Sequence, residues 1–525
     1  MSTFVGTKTI RYSQYFLRIS FSNRKSIKGF NIILILVFAS LINICSFNRI
    51  HAQSLEQLGE TSLQYAEMKL EDCLLTTTPG LYPYKTHLSN YQWLTIDRSK
   101  WASGYFISSL WLMYKWTEDP WWKIKAEEWT NDMKSEQVGG NTDVAVKIFY
   151  SAGFAFRLTG DSSWIDVLKT TSNTFSNYYV EQVGAIQCFP SSWSQYNFAV
   201  VTDFLLHMEL LLLSAELTGE QKFYDIAINH TNKILAYNMR ENGSFCHVSD
   251  FDNLGNLIAI NQGFIQGYDL DPDSLEYGTW SRGQAWAVRA LPIIYRYTKD
   301  TAYLSAARKT ADYFIDNFPV TIYGDDDYIP YCDYFPDRYH TGNGKDASAA
   351  SIACAGLYDL SEYDPKYREA ADSILKYLCT DYLTKDDPHN YASILKRSMH
   401  KYGEPERGHI FADYFFIEAL LLSRGTDITE RVGPLSGISD KAVTPEENAI
   451  RIGPNPFLDQ FNVMVDDKHL DGTIEVYDMK GRKIYHGIVD AAYLKINLEG
   501  HQRGIYVVKI NRSSGSSMYK LFKMD

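Results

Sequence analysis

Cysteine is scarce in this chain: 7 in 525 residues, with no Cys-x-x-Cys spacing among them. The low number argues against a disulfide-stapled scaffold, and the missing spacing argues against a zinc ribbon. Six cysteines lie beyond the N-terminal segment (Cys73, Cys188, Cys246, Cys332, Cys354 and Cys379), which leaves room for an isolated disulfide. A surplus of positive charge is also missing. Lys and Arg number 51 against 63 Asp and Glu, for a net charge of −12. That balance disfavours nucleic acid and anionic membrane as partners, so an acidic ligand has to be held by a local cation.

Long apolar runs are absent as well. Ile32 to Ile44 is too short and too early for a membrane span. It follows Arg11, Arg18, Arg24, Lys25 and Lys28 and precedes Ile50-His51-Ala52, the order of a secretory signal peptide. A lipoprotein signal at Cys45 would want a small residue where bulky Ile44 stands. Residues 1–52 are therefore expected to be cleaved near Ala52, with the protein exported through the periplasm to the exterior or cell surface and no membrane span in the mature chain. The segment carries seven Lys/Arg and no Asp/Glu, so its loss takes the net charge to −19.

What the chain does have is aromatic residues: 14%, with 38 Tyr and 11 Trp. Thr279-Trp280-Ser281-Arg282-Gly283-Gln284-Ala285-Trp286 puts a cation between two indoles where an acidic run turns into an apolar helix. Arginine is seldom buried unpaired, and flat aromatics beside a guanidinium suit a sugar ring that carries a carboxylate.

A punctuation recurs through residues 54–424: Trp116-Thr117-Glu118-Asp119, Leu158-Thr159-Gly160-Asp161, Leu217-Thr218-Gly219-Glu220 and Tyr297-Thr298-Lys299-Asp300, with a looser copy at Ser361 to Asp364. Each separates an apolar helix from an amphipathic one, with the acidic residue placed to cap the second. Amphipathic helices are expected near 54–70, 121–135, 162–176, 221–236, 302–317 and 366–380. Helices apolar nearly all round start near 104, 143, 203, 283, 347 and 409. Six outer and six inner helices in alternation describe an all-α (α/α)6 barrel, with a kink expected at Pro292.

The links into the inner helices are long, so the site is expected at the inner-helix N-termini. These starts offer Phe106, Asp143, Asp203, Arg282 with Trp286, and Asp346, three carboxylates expected to converge on one mouth. Asp203 sits between Val200-Val201 and Phe204-Leu205-Leu206, and desolvation there is expected to raise its pKa, as suits a general acid.

After Arg424 the texture changes. Residues 425–447 read as a linker rich in Gly and Pro. Alternating runs from Phe461 to Phe522 then make a small all-β sandwich at 448–525.

Thr142-Asp143-Val144, Asp203 with its Leu-rich helix, His247 to Asp252, Gln266-Gly267-Tyr268, Trp280 to Trp286, Asp346 to Ala350 and Asp413 to Leu420 together resemble the unsaturated glucuronyl hydrolases of glycoside hydrolase family 88. The resemblance implies a metal-free, cofactor-free (α/α)6-barrel enzyme. Such an enzyme removes 4,5-unsaturated uronic acid from the non-reducing end of lyase-generated oligosaccharides by hydrating the vinyl ether. It implies Asp203 as the acid/base and Asp143 as the second essential carboxylate, with His247, Gln266, Trp280, Arg282 and Trp286 lining the sugar. Phe106 joins them on its position alone. The chain departs from the family in Thr142 and Ile265, where histidines are common, in Gln187-Cys188-Phe189 with Trp193 nearby, and in a longer loop at 269–278. Those changes bear on the sugar attached to the uronate.

Family 105 unsaturated rhamnogalacturonyl hydrolases are the near alternative, and the Arg-Gly-Gln-Ala-Trp stretch favours family 88. A silent carbohydrate-binding protein and an inverting glycosidase that uses both aspartates are the others. The tail (Gly453-Pro454-Asn455-Pro456-Phe457, Gly504 to Ile510, Lys520 to Lys523) resembles the type IX secretion sorting domain, which implies that machinery as a partner.

Overall fold

The computed structural model describes residues 53–189, 196–261, 278–334, 343–430 and 432, and most of 450–523. The expected signal peptide lies outside the described residues, as do Gln266, Ile265 and Trp193.

Twelve helices of three or more turns form the first part among the described residues. They are α1 (Leu55–Thr76), α2 (Ser103–Thr117), α3 (Pro120–Met133), α4 (residues 144–159), α5 (Ile165–Ser176), α6 (Phe204–Thr218), α7 (Gln221–Tyr237), α8 (Ser281–Thr298), α9 (Thr301–Asp316), α10 (Ala347–Leu360), α11 (Pro365–Thr380) and α12 (Ile410–Ser423). Helix α4 widens into a π turn at Phe149–Gly153. Even-numbered helices are buried on nearly every side; α6 hides every residue from Phe204 to Ser214. Odd-numbered helices bury one face, as α9 does with Tyr303, Leu304, Ala307, Thr310, Ala311 and Phe314. Each inner helix packs on the next, and α12 packs back on α2, so the inner ring closes. At the seam α1 lies against α11 and α12, with Arg424 paired to Glu60 at 2.7 Å. This is the (α/α)6 barrel.

The recurring turns have one construction. Thr117 donates to the Met113 carbonyl (2.8 Å) and accepts from the Asp119 N–H (3.1 Å). Asp119 then accepts from Trp121 N–H (2.9 Å), capping α3. Thr159 and Asp161 repeat the pattern, with Asp161 accepting from Ser163 N–H at 2.9 Å. The residue between them is left-handed each time: Glu118, Gly160, Gly219 and Lys299 have φ of 54°, 69°, 70° and 56°. Glu220 departs from the rule, making no cap bond and pairing with Lys169 and Lys222 instead. Asp300 caps α9 through Ala302 N–H at 2.9 Å. Asp300→Ala is expected to cost about 1 kcal/mol of stability. It lies at the barrel end away from the inner-helix starts, so urea unfolding should register the change while turnover stays unaltered.

The long connections carry small sheets that hydropathy patterning does not reveal. These are β1 (Tyr82–Thr86) with β2 (Trp93–Ile96), β3 (Tyr179–Val180) with β4 (Ala185–Ile186), and β5 (Ala199–Val201), β6 (Val248–Phe251) and β7 (Leu257–Asn261). Helix α8 runs unbroken through Pro292. Proline has no N–H to offer the Val288 carbonyl one turn back. That carbonyl faces Gly356 of α10, where an added Cβ would meet it at 2.4 Å. Glycine there lets the two inner helices close over the orphaned oxygen. The six barrel cysteines are buried free thiols.

The chain keeps contact with the barrel past Arg424: Lys115 donates to the Glu430 carbonyl (2.9 Å) and Val432 N–H to that of Leu158 (3.0 Å). The first residues of the expected linker thus belong to the barrel's edge. Further on, β8 (Ile450–Gly453), β9 (Gln460–Val465), β10 (Gly472–Asp478), β11 (Lys483–Val489), β12 (Tyr493–Asn497), β13 (Gly504–Arg512) and β14 (Gly515–Lys523) form two antiparallel sheets, ordered β11-β10-β13-β14 and β12-β9-β8. Ile474, Val476, Val508 and Ile510 from one meet Phe461, Val463 and Ile496 from the other in a cluster separate from the barrel core. Period-two burial of this kind is what the alternating sequence predicts. The strand missed by patterning is β8, only four residues long and followed by Pro454.

Candidate active site

Two inner-helix starts bring the aspartates together. Asp143 precedes α4 and Asp203 precedes α6, and neither side chain caps its helix. Both line one cavity of about 260 Å³. Its walls include Trp101, Tyr105, Phe189, Trp280 and Trp286, with His207, His247, Arg282 and His400 as the nitrogen-bearing groups.

Strand register sets the partner of Asp203. Strand β5 pairs with β6 so that Val201 stands opposite Val248, and the Thr202 N–H continues the ladder to the His247 carbonyl at 3.1 Å. Asn238 Nδ2 donates to the same carbonyl at 3.2 Å. His247 is thereby held beside Asp203, its Nε2 3.0 Å from Oδ2, with its ring edge-on to Trp280. The expected rise in the Asp203 pKa is overturned. Burial is the largest influence and does push it up, but the His247 contact and the Arg282 charge outweigh burial and hold the carboxyl below its usual value.

The Trp280–Trp286 stretch divides its work residue by residue. Trp280 and Trp286 are walls of the cavity. Gly283 is required because a Cβ there would lie 2.9 Å from the Trp280 ring. Gln284 is fully buried and clamps the segment before His247: its Oε1 accepts from Phe245 N–H (2.9 Å) and its Nε2 donates to the Gly243 carbonyl (3.0 Å).

Arg282 lies among aromatics, with its donors turned inward to the protein. Its guanidinium lies over Trp280 (4.5 Å) and Phe411 (5.0 Å), not between the two tryptophans. It donates to the carbonyls of Met399 and His400 and to Ser348 Oγ, and stands 3.7 Å from Asp346. Asp346 is therefore not a third carboxylate of the mouth. It is fully buried behind Arg282, capping α10 through Ser348 N–H (3.0 Å), and burial raises its pKa against the pull of Arg282. Phe106 is corrected too. It is fully buried and packs on Trp129 of α3, while its neighbour Tyr105 faces the cavity.

Residues that sequence reading passed over include Trp101, Tyr105, His207 and His400. His207 follows Asp203 by one helical turn, and that spacing puts both on one face. His400 touches Tyr84 (Oη to Nδ1, 3.4 Å), and burial with Arg282 behind it lowers its pKa to about 3, keeping it neutral. Phe189 is left-handed (φ 50°), with its N–H on Thr142 Oγ1 at 3.3 Å. Thr142 thus supports an aromatic wall.

A larger cleft of about 760 Å³ opens at the short-turn end, lined by Arg157, Glu216, Arg296 and Tyr297 among others. Its arginines are committed, Arg157 to Glu209 (2.8 Å) and Arg296 to Asp359 (3.0 Å), which leaves the aromatic cavity as the site for chemistry.

Comparison with known proteins agrees with this choice of architecture. The family model "Secretion system C-terminal sorting domain" matches residues 451–524. The chain is 30% identical over 335 residues to an unsaturated glucuronyl hydrolase of Formosa agariphila, covering 62% of this chain and 80% of that protein. It is 27% identical over 352 residues to an unsaturated chondroitin disaccharide hydrolase of Streptococcus pyogenes, covering 63% and 82%. A crystal structure of an unsaturated glucuronyl hydrolase specific for heparin superposes with a TM-score of 0.64 at 26% identity, covering 70% of this chain and 97% of that one. The chain belongs to the unsaturated glucuronyl hydrolase family and carries a secretion-system sorting domain at its C-terminal end.

Proposed function

We propose that the barrel removes 4,5-unsaturated uronic acid from the non-reducing end of lyase-generated oligosaccharides, with Asp203 as acid/base and Asp143 as the carboxylate that holds the ring. The observation that carries this reading is the convergence of two uncapped aspartates on one aromatic-walled cavity, with His247 against one of them. Asp203 passes a proton to C4 and directs water to C5. The resulting hemiketal opens and releases the shortened saccharide. Trp280 and Trp286 supply faces for the sugar, and Gln266, outside the described residues, completes the expected set. Arg282 acts by its charge and by fixing Met399 and His400.

The pKa of Asp203 gives the mechanism a trigger. In the free protein His247 and Arg282 keep the carboxyl ionised. An arriving uronate carboxylate offsets the Arg282 charge, so the Asp203 pKa rises in the complex and the proton needed at C4 becomes available. The alkaline loss of kcat, which reports the complex, should fall at higher pH than that of kcat/KM, which reports the free enzyme. Coincident limbs would sink the trigger.

The test of the activity is loss of the C4=C5 ultraviolet absorbance when the barrel meets lyase-generated fragments of chondroitin, heparin, ulvan, pectin and xanthan. Loss with release of a shortened sugar supports the reading. Binding without loss on all five would favour a silent carbohydrate-binding protein. The tail at 448–525 is proposed to engage type IX secretion machinery, and residues 1–52 to direct export through the periplasm.

A further inference from the structure

We propose that His207 is the positioning partner of Asp143: its imidazole holds that carboxylate in the cavity and couples it to the helix that carries Asp203. The Nε2 of His207 lies 3.6 Å from Asp143 Oδ1. Neither ring nitrogen has a hydrogen-bond partner among the described residues, although the side chain is only 7% exposed. A buried imidazole with neither nitrogen hydrogen-bonded is unfavourable, so such a group calls for an explanation beyond packing.

Its ring plane is set by neighbours. It stacks on Phe204 at 4.1 Å and 7°, with Phe175 of α5 at 5.9 Å. Asp143, for its part, makes no helix cap, and the residue before it, Thr142, is occupied with Phe189. The imidazole therefore reaches from one aspartate's helix to the other aspartate. Around His207 stand Asp143 from α4, Asp203 at the start of its own helix, Tyr105 from α2 and His230 from α7, with His247 and Arg282 also lining the cavity.

The kinetic consequence rests on the reaction proposed above; the pairing itself does not. His207→Ala should lower kcat about tenfold or more with a smaller change in KM, because the ring that orients Asp143 is gone. His207→Gln keeps a side-chain donor toward Asp143, so it should recover part of the kcat that His207→Ala loses. Wild-type kcat and KM in both variants would overturn a positioning role and leave His207 as packing. Independently of any substrate, the His207 ring nitrogens are observed by NMR in wild type and in Asp143→Asn. Loss of the carboxylate 3.6 Å from Nε2 should move the ring ¹⁵N resonances. Unchanged ring resonances overturn the pair even if the protein hydrolyses uronyl substrates. Shifted resonances in a protein inactive on all of them uphold the pair and reject the activity.

Discussion

Asp203→Asn is expected to reduce turnover by about 10³-fold or more while the barrel remains folded. The asparagine is isosteric and suits a helix start at least as well as aspartate. The native carboxylate makes no cap bond, so α6 loses no hydrogen bond at its first turn. What disappears is the group that can both give a proton to C4 and take one from water. His247, 3.0 Å away, is then left facing an amide. The measurement is kcat on the best substrate of the fragment panel, with far-ultraviolet circular dichroism and urea unfolding as controls on folding. Near-normal kcat in a folded variant would remove Asp203 from the acid/base role.

Arg282→Ala should be the most destabilising single change at the site, by about 3–5 kcal/mol, since it strips the partner from a buried charge. Asp346 is fully buried, and its Oδ2 has no hydrogen-bond partner among the described residues, only the Arg282 charge 3.7 Å away. The carbonyls of Met399 and His400 lose their donors in the same step. Burial already raises the Asp346 pKa, and losing the cation raises it further. A carboxyl whose folded pKa exceeds its unfolded value weighs against folding as pH rises above the unfolded value. The deficit of the variant should therefore grow from mildly acidic to neutral pH and shrink when Asp346→Asn is added. Urea unfolding of the four members of that cycle checks both statements. A deficit independent of pH and of residue 346 would mean that the loop carbonyls, not Asp346, are what Arg282 supports.

Much of the architecture is written locally in the chain. Thr-x-Asp/Glu marks four of the inner-to-outer turns and a looser copy marks a fifth, so the twelve helices and their alternation can be read without knowing any distant contact. The end of the barrel that holds the site follows from loop length alone. Side-chain direction at the inner-helix starts is harder. Where a helix is apolar all round, periodicity names no face, and Phe106 cannot be told from Tyr105 until the neighbouring helix is placed. The charge state of Asp203 depends on His247, 44 positions away and aligned by the β5–β6 register. The partners of Arg282 are 117 and 118 positions along the chain. His207 was within reach, four residues after Asp203, but hidden inside a leucine-rich run.

The seam between α12 and the first two helices changes how the barrel can fail. An open stack of helical hairpins can fray from either end, because a terminal repeat gives up one interface at a time. Here each inner helix is flanked on both sides, and Arg424 of the last hairpin is tied to Glu60 of the first. No hairpin is terminal, so the loss of any one opens two interfaces and exposes the common core. Such a ring is expected to unfold more cooperatively than an open stack of the same hairpins. A nascent or truncated chain that lacks α12 leaves α2 and α10 each with one flank uncovered.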